Sequence, residues 1–284
     1  MQHQLPAIAI NGVIDQQVSP LDRGFTYGDG VFETCRMINA KIPLWNLHVE
    51  RLISSCKKLS IPVTDNLVQD FLAQLLSQIA PENLVAAVVK IIVTRGQGGR
   101  GFSISNSMQP TICIGVFPPG SYPERNYSQG VSVRICAQRL GCNPTLAGLK
   151  HLNRLENILA RAEWSDEKFA EGLLFDTSNN LIEATMSNIF IIINGELCTP
   201  DLTEAGVAGV MRRLVIDELV PQLKIFVNVK KLSHTDLMSA DEIFLCNSNF
   251  GIWPVINVFD QQDNLFAIGK ITTALQKLLV NRSS

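Results

Sequence analysis

What the sequence lacks narrows its function first. No stretch is rich in lysine or arginine, and the formal net charge is −2. Without a basic excess there is no electrostatic footprint for a polyanion, so nucleic acid is not expected as a partner. No apolar run approaches the ~18 residues of a bilayer-crossing helix. The opening "MQHQLPAIAI" has neither a basic start nor a sustained apolar stretch, so neither a membrane span nor a signal peptide is expected. The seven cysteines (35, 56, 113, 136, 142, 198 and 246) are odd in number and form no C-x-x-C pair. That pattern argues against a disulfide frame or a zinc site, and for free thiols in a reducing cytoplasm. No internal repeat or low-complexity tract stands out.

What is present suits a globular enzyme-sized chain. With 284 residues, 46% hydrophobic and 18% charged, it can bury a substantial core in one large or two modest domains. "AIAINGVIDQ" carries a hairpin signal, Asn11-Gly12 between apolar stretches. Helical periodicity runs through Leu47, Leu52, Ile53 and Leu59, and again over residues 68–80. "LVAAVVKIIVTRG" and "TICIGVF" read as buried strands. "PPGSYPERNYSQG" (118–130) is the best linker by its proline, glycine and serine content. It separates an N-terminal domain, 1–117, from a C-terminal domain, 131–284. In the second half "VSVRICAQ", "EGLLFDTSNNLIEATMSNIFIIINGELCTP", "DEIFLCNSN" and "GIWPVINV" read as strands. "GVAGVMRRLVIDELV" and about 268–280 read as helices. Hairpins in place of strict strand–helix alternation favour an α+β arrangement of two domains.

Several stretches carry chemistry. "GQGGRG" (96–101) satisfies G-x-G-x-x-G after an apolar strand. The polar "FSISNSMQP" follows where a dinucleotide site needs a helix, so that reading fails. Arg95 and Arg100, flanking those glycines, offer charge to an anionic ligand from a loop. In "GLKHLNRLENILARAEW" the residues Leu152, Leu155, Ile158, Leu159 and Ala162 recur at the spacing of one buried helical face, with Lys150 just ahead of it. Glu183 lies in the largely apolar "LIEATMSNIF", where an unpaired carboxylate is costly, so a cationic or protonated partner is expected. "AGVAGVMRR" opens a helix with small side chains and free backbone N–H groups, an anion site in waiting. "CNSN" adds amides and a hydroxyl at a strand end, and Arg51 a fixed positive charge. An amine, a buried acid and a phosphate cradle together suit pyridoxal 5'-phosphate.

"LDRGFTYGDGVFET", "GLKHLNRLENILAR", "LIEATMSNIF", "CTPDL" and "GVAGVMR", in that order, resemble the fold-type IV pyridoxal-phosphate enzymes. This group includes branched-chain and D-amino-acid aminotransferases and aminodeoxychorismate lyases. The "KHLNRLE" stretch and the "TRGQGGRG" loop are most similar to the lyases. The resemblance implies a lyase that converts 4-amino-4-deoxychorismate to 4-aminobenzoate and pyruvate; a D-amino or branched-chain transaminase is the alternative. It implies that Lys150 is the Schiff-base lysine and Glu183 the acid on the pyridine nitrogen. Arg51, Gly209, Val210, Asn247 and Ser248 then contact the phosphate. Asn247-Ser248 departs from the Ser/Thr pair common in the aminotransferases. Tyr27, Arg95 and Arg100 fall where the family approaches its small-molecule substrate. Two domains joined by a short linker, paired as a homodimer, complete the expectation.

Overall fold

A computed structural model describes residues 3–99, 101–105 and 107–283. The chain divides into two compact units, Met1–Ser121 with Leu149–Asn153, and Tyr122–Gly148 with Arg154–Ser284. Both mix helices and strands, and the fold is α+β.

The first unit is an antiparallel sheet covered by helices. Its strands are β1 (Ala7–Ile10), β2 (Val13–Ile14), β3 (Gly30–Ile38), β4 (Ala86–Thr94) and β5 (Thr111–Phe117), in the order β2-β1-β5-β4-β3. Asn11 and Gly12 both take positive φ, 50° and 81°, as the tight β1–β2 turn requires. Along β4, Ala87, Val89, Ile91 and Val93 are buried while Lys90 is exposed, the period of a sheet with one packed face. The short helix α1 (Arg23–Tyr27) precedes β3; α2 (Trp45–Lys58) and α3 (Asp65–Leu76) bring Leu52, Cys56, Val68, Leu72 and Leu75 into the same core. Each such leucine contributes roughly 1.5–3 kcal/mol by leaving water.

β3 ends the sheet order, and a short extended segment meets it. The Phe32 N–H donates to the Lys150 carbonyl (2.9 Å), and Leu152 N–H to the Gly30 carbonyl (3.0 Å). These bonds group Leu149–Asn153 with the first unit, although sequence composition alone assigns all of 131–284 to the second.

The second unit holds β6 (Val131–Leu140), β7 (Glu171–Asp176), β8 (Leu181–Ala184), β9 (Asn188–Ile193), β10 (Glu196–Pro200), β11 (Val227–Lys230), β12 (Glu242–Asn247), β13 (Gly251–Asp260) and β14 (Gln262–Leu265). They form one mixed sheet, β11-β10-β9-β12-β13-β6-β7-β8, with β14 on β13. Its helices are α4 (Arg125–Ser128), α5 (Leu155–Arg161), α6 (Val210–Leu214), α7 (Val220–Gln222), α8 (His234–Met238) and α9 (Lys270–Ser283). A π turn, Val215–Leu219, joins α6 to α7. Leu173, Leu181, Ile189, Ile191, Leu245, Val255 and Val258 make the core. From Tyr122 onward the proline-rich stretch belongs to this unit, because the Tyr122 and Tyr127 rings pack edge-on against Trp253 at 5.4 and 6.2 Å.

One expectation fails. The apolar spacing in 152–162 predicts a buried face, yet Leu155, Ile158 and Leu159 of α5 are 73%, 61% and 57% exposed. Only Ala160 of that helix is buried. Periodicity marks a face that avoids water without saying what covers it. Among the described residues, no helix is long and apolar enough to cross a membrane.

Candidate active site

The first unit carries the lysine. Its place on the segment paired to β3 sets Lys150, half-buried, with Nζ 4.4 Å from the centroid of the Phe32 ring. A cation over an aromatic face is held there by the ring quadrupole. Glu33, next along β3, points to the opposite face and is almost fully buried. Its carboxylate accepts a fork from Arg51, Nε to Oε1 at 2.7 Å and Nη2 to Oε2 at 2.6 Å. His48 Nδ1 lies 2.6 Å from Oε2. His48 and Arg51 reach one acid because residues three apart share a face of α2. Burial pushes the Glu33 carboxyl up, but the Arg51 charge and the His48 and Arg51 hydrogen bonds outweigh it and hold it below its ordinary range. The neighbouring Cys35 thiol is driven well up by burial and stays protonated.

Arg95 does not fit a substrate contact. It is buried, with Nε and Nη2 on the Asp29 carboxylate (2.7 and 3.0 Å), Nη1 on the Ser60 carbonyl and Nη2 also on that of Leu59. The fork is taken up in closing the end of α2 onto the sheet. Burial raises the Asp29 carboxyl, and Arg95 and Arg23 together bring it below its usual range. Tyr27 remains partly exposed, its ring 5.3 Å from that of Phe102. Arg100 lies outside the described residues.

The second unit carries the acid and the small-residue loop. Glu183, on β8, is 4% exposed, and its Oε2 accepts the Val207 N–H at 2.8 Å. Gly206 brings the loop this close: its φ is +84°, and a Cβ there would meet Ile182 at 2.6 Å and Glu183 Oε2 at 3.3 Å. At Gly209 a Cβ would fall 2.0 Å from Asn188 Oδ1, while Asn188 Nδ2 donates to the Val207 carbonyl at 2.9 Å. Gly209 caps α6 with no side-chain bond of its own, and Val210 is the first residue of the helix. Asn247 ends β12. Its Oδ1 accepts the N–H groups of Asn249 and Phe250, both at 2.9 Å, and its Nδ2 donates to the Met186 carbonyl at 3.2 Å. The Asn247 side chain therefore shapes the loop that presents Ser248.

Within the first unit, Lys150 lies over Phe32 and Arg51 on Glu33, the next residue of β3. Within the second, Glu183 and Asn188 bond to Val207, and Asn247 bonds to Met186 of the 185–187 turn. Sequence reasoning missed Glu33, His48 and Glu171. Each had a signal. His48 stands three residues before Arg51 on a helix, and Glu33 and Glu171 are, like Glu183, acids in strands beside apolar residues.

Comparison with known proteins gives the class first. The fold is that of the fold-type IV enzymes that depend on pyridoxal phosphate. The solved 4-amino-4-deoxychorismate lyase from Pseudomonas aeruginosa superposes with a TM-score of 0.90 at 39% identity, covering 96% of this chain and 98% of that one. More particularly, the chain belongs to the family described as amino-transferase class IV, whose model matches residues 30–258. It is 37% identical to an aminodeoxychorismate lyase from Vibrio harveyi, over 94% of this chain and 97% of the relative. It is 31% identical to a putative branched-chain-amino-acid aminotransferase from Methanocaldococcus jannaschii, over 93% and 90%.

Proposed function

We propose that this protein is an aminodeoxychorismate lyase that converts 4-amino-4-deoxychorismate to 4-aminobenzoate and pyruvate with pyridoxal 5'-phosphate. One observation carries the choice of reaction. An aminodeoxychorismate lyase and a 4-amino-4-deoxychorismate lyase match at 37% and 39% identity over nearly the whole chain, and a putative third lyase at 28%. The branched-chain and D-alanine aminotransferases compared with them match at 31% and 29%.

The donor set suits the cofactor. A half-buried amine over an aromatic ring, a deeply buried carboxylate and a cation fixed by an acid are the groups that an aldehyde, a ring nitrogen and a phosphate require. In this reading Lys150 Nζ holds the aldehyde carbon, and Glu183 keeps the ring nitrogen protonated. Arg51, the backbone of Gly209 and Val210, and the Asn247–Ser248 loop take the phosphate. Tyr27 and Arg100 are assigned to the substrate side, and Arg95 is left to its structural bonds.

When bound, pyridoxal phosphate would supply an electron sink for the substrate's C4. Lys150, with its amine unprotonated, would be the base. Its Nζ removes the proton at C4, and the Phe32 face beneath it stabilises the ammonium so formed. As the ring carbon–oxygen bond breaks, the electron pair leaves on the enolpyruvyl oxygen. Lys150 then returns its proton to that group, which departs as pyruvate while the ring becomes aromatic.

The exposed apolar face of α5 supports a homodimer, since monomers rarely leave such a patch bare. All seven cysteines are free thiols, which suits the cytoplasm. The test supplies 4-amino-4-deoxychorismate with no keto acid. Pyruvate and 4-aminobenzoate should appear in equal amounts over many turnovers, because the nitrogen leaves with the product. Failure to release pyruvate, together with keto-acid-dependent amino transfer from D-alanine or L-leucine, moves the protein to the transaminases.

A further inference from the structure

Glu171, at the start of β7, is fully buried and takes no part in the mechanism above. Two oxygens receive five donors. Oε2 accepts from the Thr185 hydroxyl, from Thr185 N–H at 3.1 Å and from Gly172 N–H at 3.3 Å. Oε1 accepts from Met186 N–H at 3.0 Å and the Ser187 hydroxyl at 2.9 Å. All five donors are neutral, so the carboxylate is desolvated without a counter-charge, an expensive arrangement for mere packing. Burial accordingly raises its carboxyl, against the opposing hydrogen bonds of Thr185, Ser187, Met186 and Gly172.

The three residues it grips, Thr185 to Ser187, are the whole connection between β8 and β9. Glu183 lies two positions before that connection, and Asn188, which contacts the Gly209 loop through Val207, directly after it. The Met186 carbonyl receives Asn247 Nδ2 at 3.2 Å, and Asn247 in turn orders Asn249 and Phe250. One buried acid thus joins the strand end bearing Glu183 to the loop bearing Ser248. We infer that Glu171 is a positioning residue, which fixes the Thr185–Ser187 turn and through it sets Glu183 and the Asn247–Ser248 loop for the cofactor. The inference rests on the cofactor reading of those residues given above.

The test compares parent and Glu171→Gln, whose amide turns N–H groups toward N–H donors. Hydrogen exchange of the protein without added cofactor should be ~10-fold faster at Met186, and also at Asn249 and Phe250, which Glu171 does not touch. The Kd for pyridoxal 5'-phosphate, from absorbance titration, should rise ~10-fold, the equivalent of about one lost hydrogen bond. Should that variant fail to fold, Thr185→Val and Ser187→Ala each remove one donor, and Thr185→Ser should restore the parent Kd. Ile191→Ala, a core change in the same unit, lowers the melting temperature but should leave Kd unchanged. Unchanged exchange at 249 and 250 overturns the inference whether or not the cofactor binds, as does a Kd that tracks melting temperature across all variants. A parent that binds no pyridoxal 5'-phosphate overturns the reading of the site instead.

Discussion

Glu183 and Glu171 show how much one residue's surroundings decide. Both are buried acids in apolar strands, and the cost of burying a carboxylate flags them equally. Only the sequence around Glu183, with its helix entry and lysine, made it legible as functional. Besides the adjacent Gly172, Glu171 is satisfied by donors that lie fourteen to sixteen residues away on the β8–β9 turn, a pairing no spacing rule announces. Arg95 shows the converse error. Beside a glycine loop it reads as an anion contact, yet Asp29 and two carbonyls absorb its fork. For Glu183 the prediction is direct. Glu183→Gln can still accept the Val207 N–H through its amide oxygen, so the loop and bound pyridoxal phosphate should be retained. A neutral amide cannot hold a proton on the ring nitrogen, and each pKa unit of stabilisation lost is about 1.4 kcal/mol, so turnover should fall more than ~10-fold. Steady-state rates at saturating cofactor check this. Near-parent turnover would give Glu183 another role.

At the scale of elements, most strands and helices follow from the sequence because one face of each packs within its own unit. Alternation in β4 and the turn at Asn11-Gly12 are examples. What the pattern leaves unread is how elements are tied by polar groups. β3 and α2 are joined by Glu33, itself buried, receiving Arg51 and His48, of which Arg51 is partly exposed. Hydrogen bonds to a charged group contribute roughly 1.5–3 kcal/mol. Glu33→Gln should therefore destabilise the protein by about that amount at neutral pH, read from urea unfolding. The sign with pH follows from the lowered carboxyl of Glu33. Its contribution is fully present above the ordinary carboxylate range and is lost as pH falls through the lowered value. The stability gap between parent and variant should shrink in acid and stay constant from neutral pH upward. A gap that instead widened in acid would mean that Glu33 is protonated in the folded protein.

For the whole molecule, the composition argues against a polyanion partner and a membrane span, but it could not separate a face buried in the core from one left at the surface. The α5 residues Leu155, Ile158 and Leu159 have the spacing of buried positions and the exposure of surface ones. The homodimer proposed above would resolve the conflict, because an interface of ordinary size, about 800 Å² per partner, draws its energy from such apolar side chains. Charges placed there would have to lose their water on association, while in a separate chain they would remain hydrated. Leu155→Asp with Ile158→Asp should therefore halve the mass measured by sedimentation at micromolar concentration, from a dimer to a single chain. The urea midpoint of the separated chain should change little from those two substitutions themselves, since neither side chain is in either core. A parent that sediments as one chain, or a doubly substituted protein that remains paired, would leave the apolar face of α5 to some other partner.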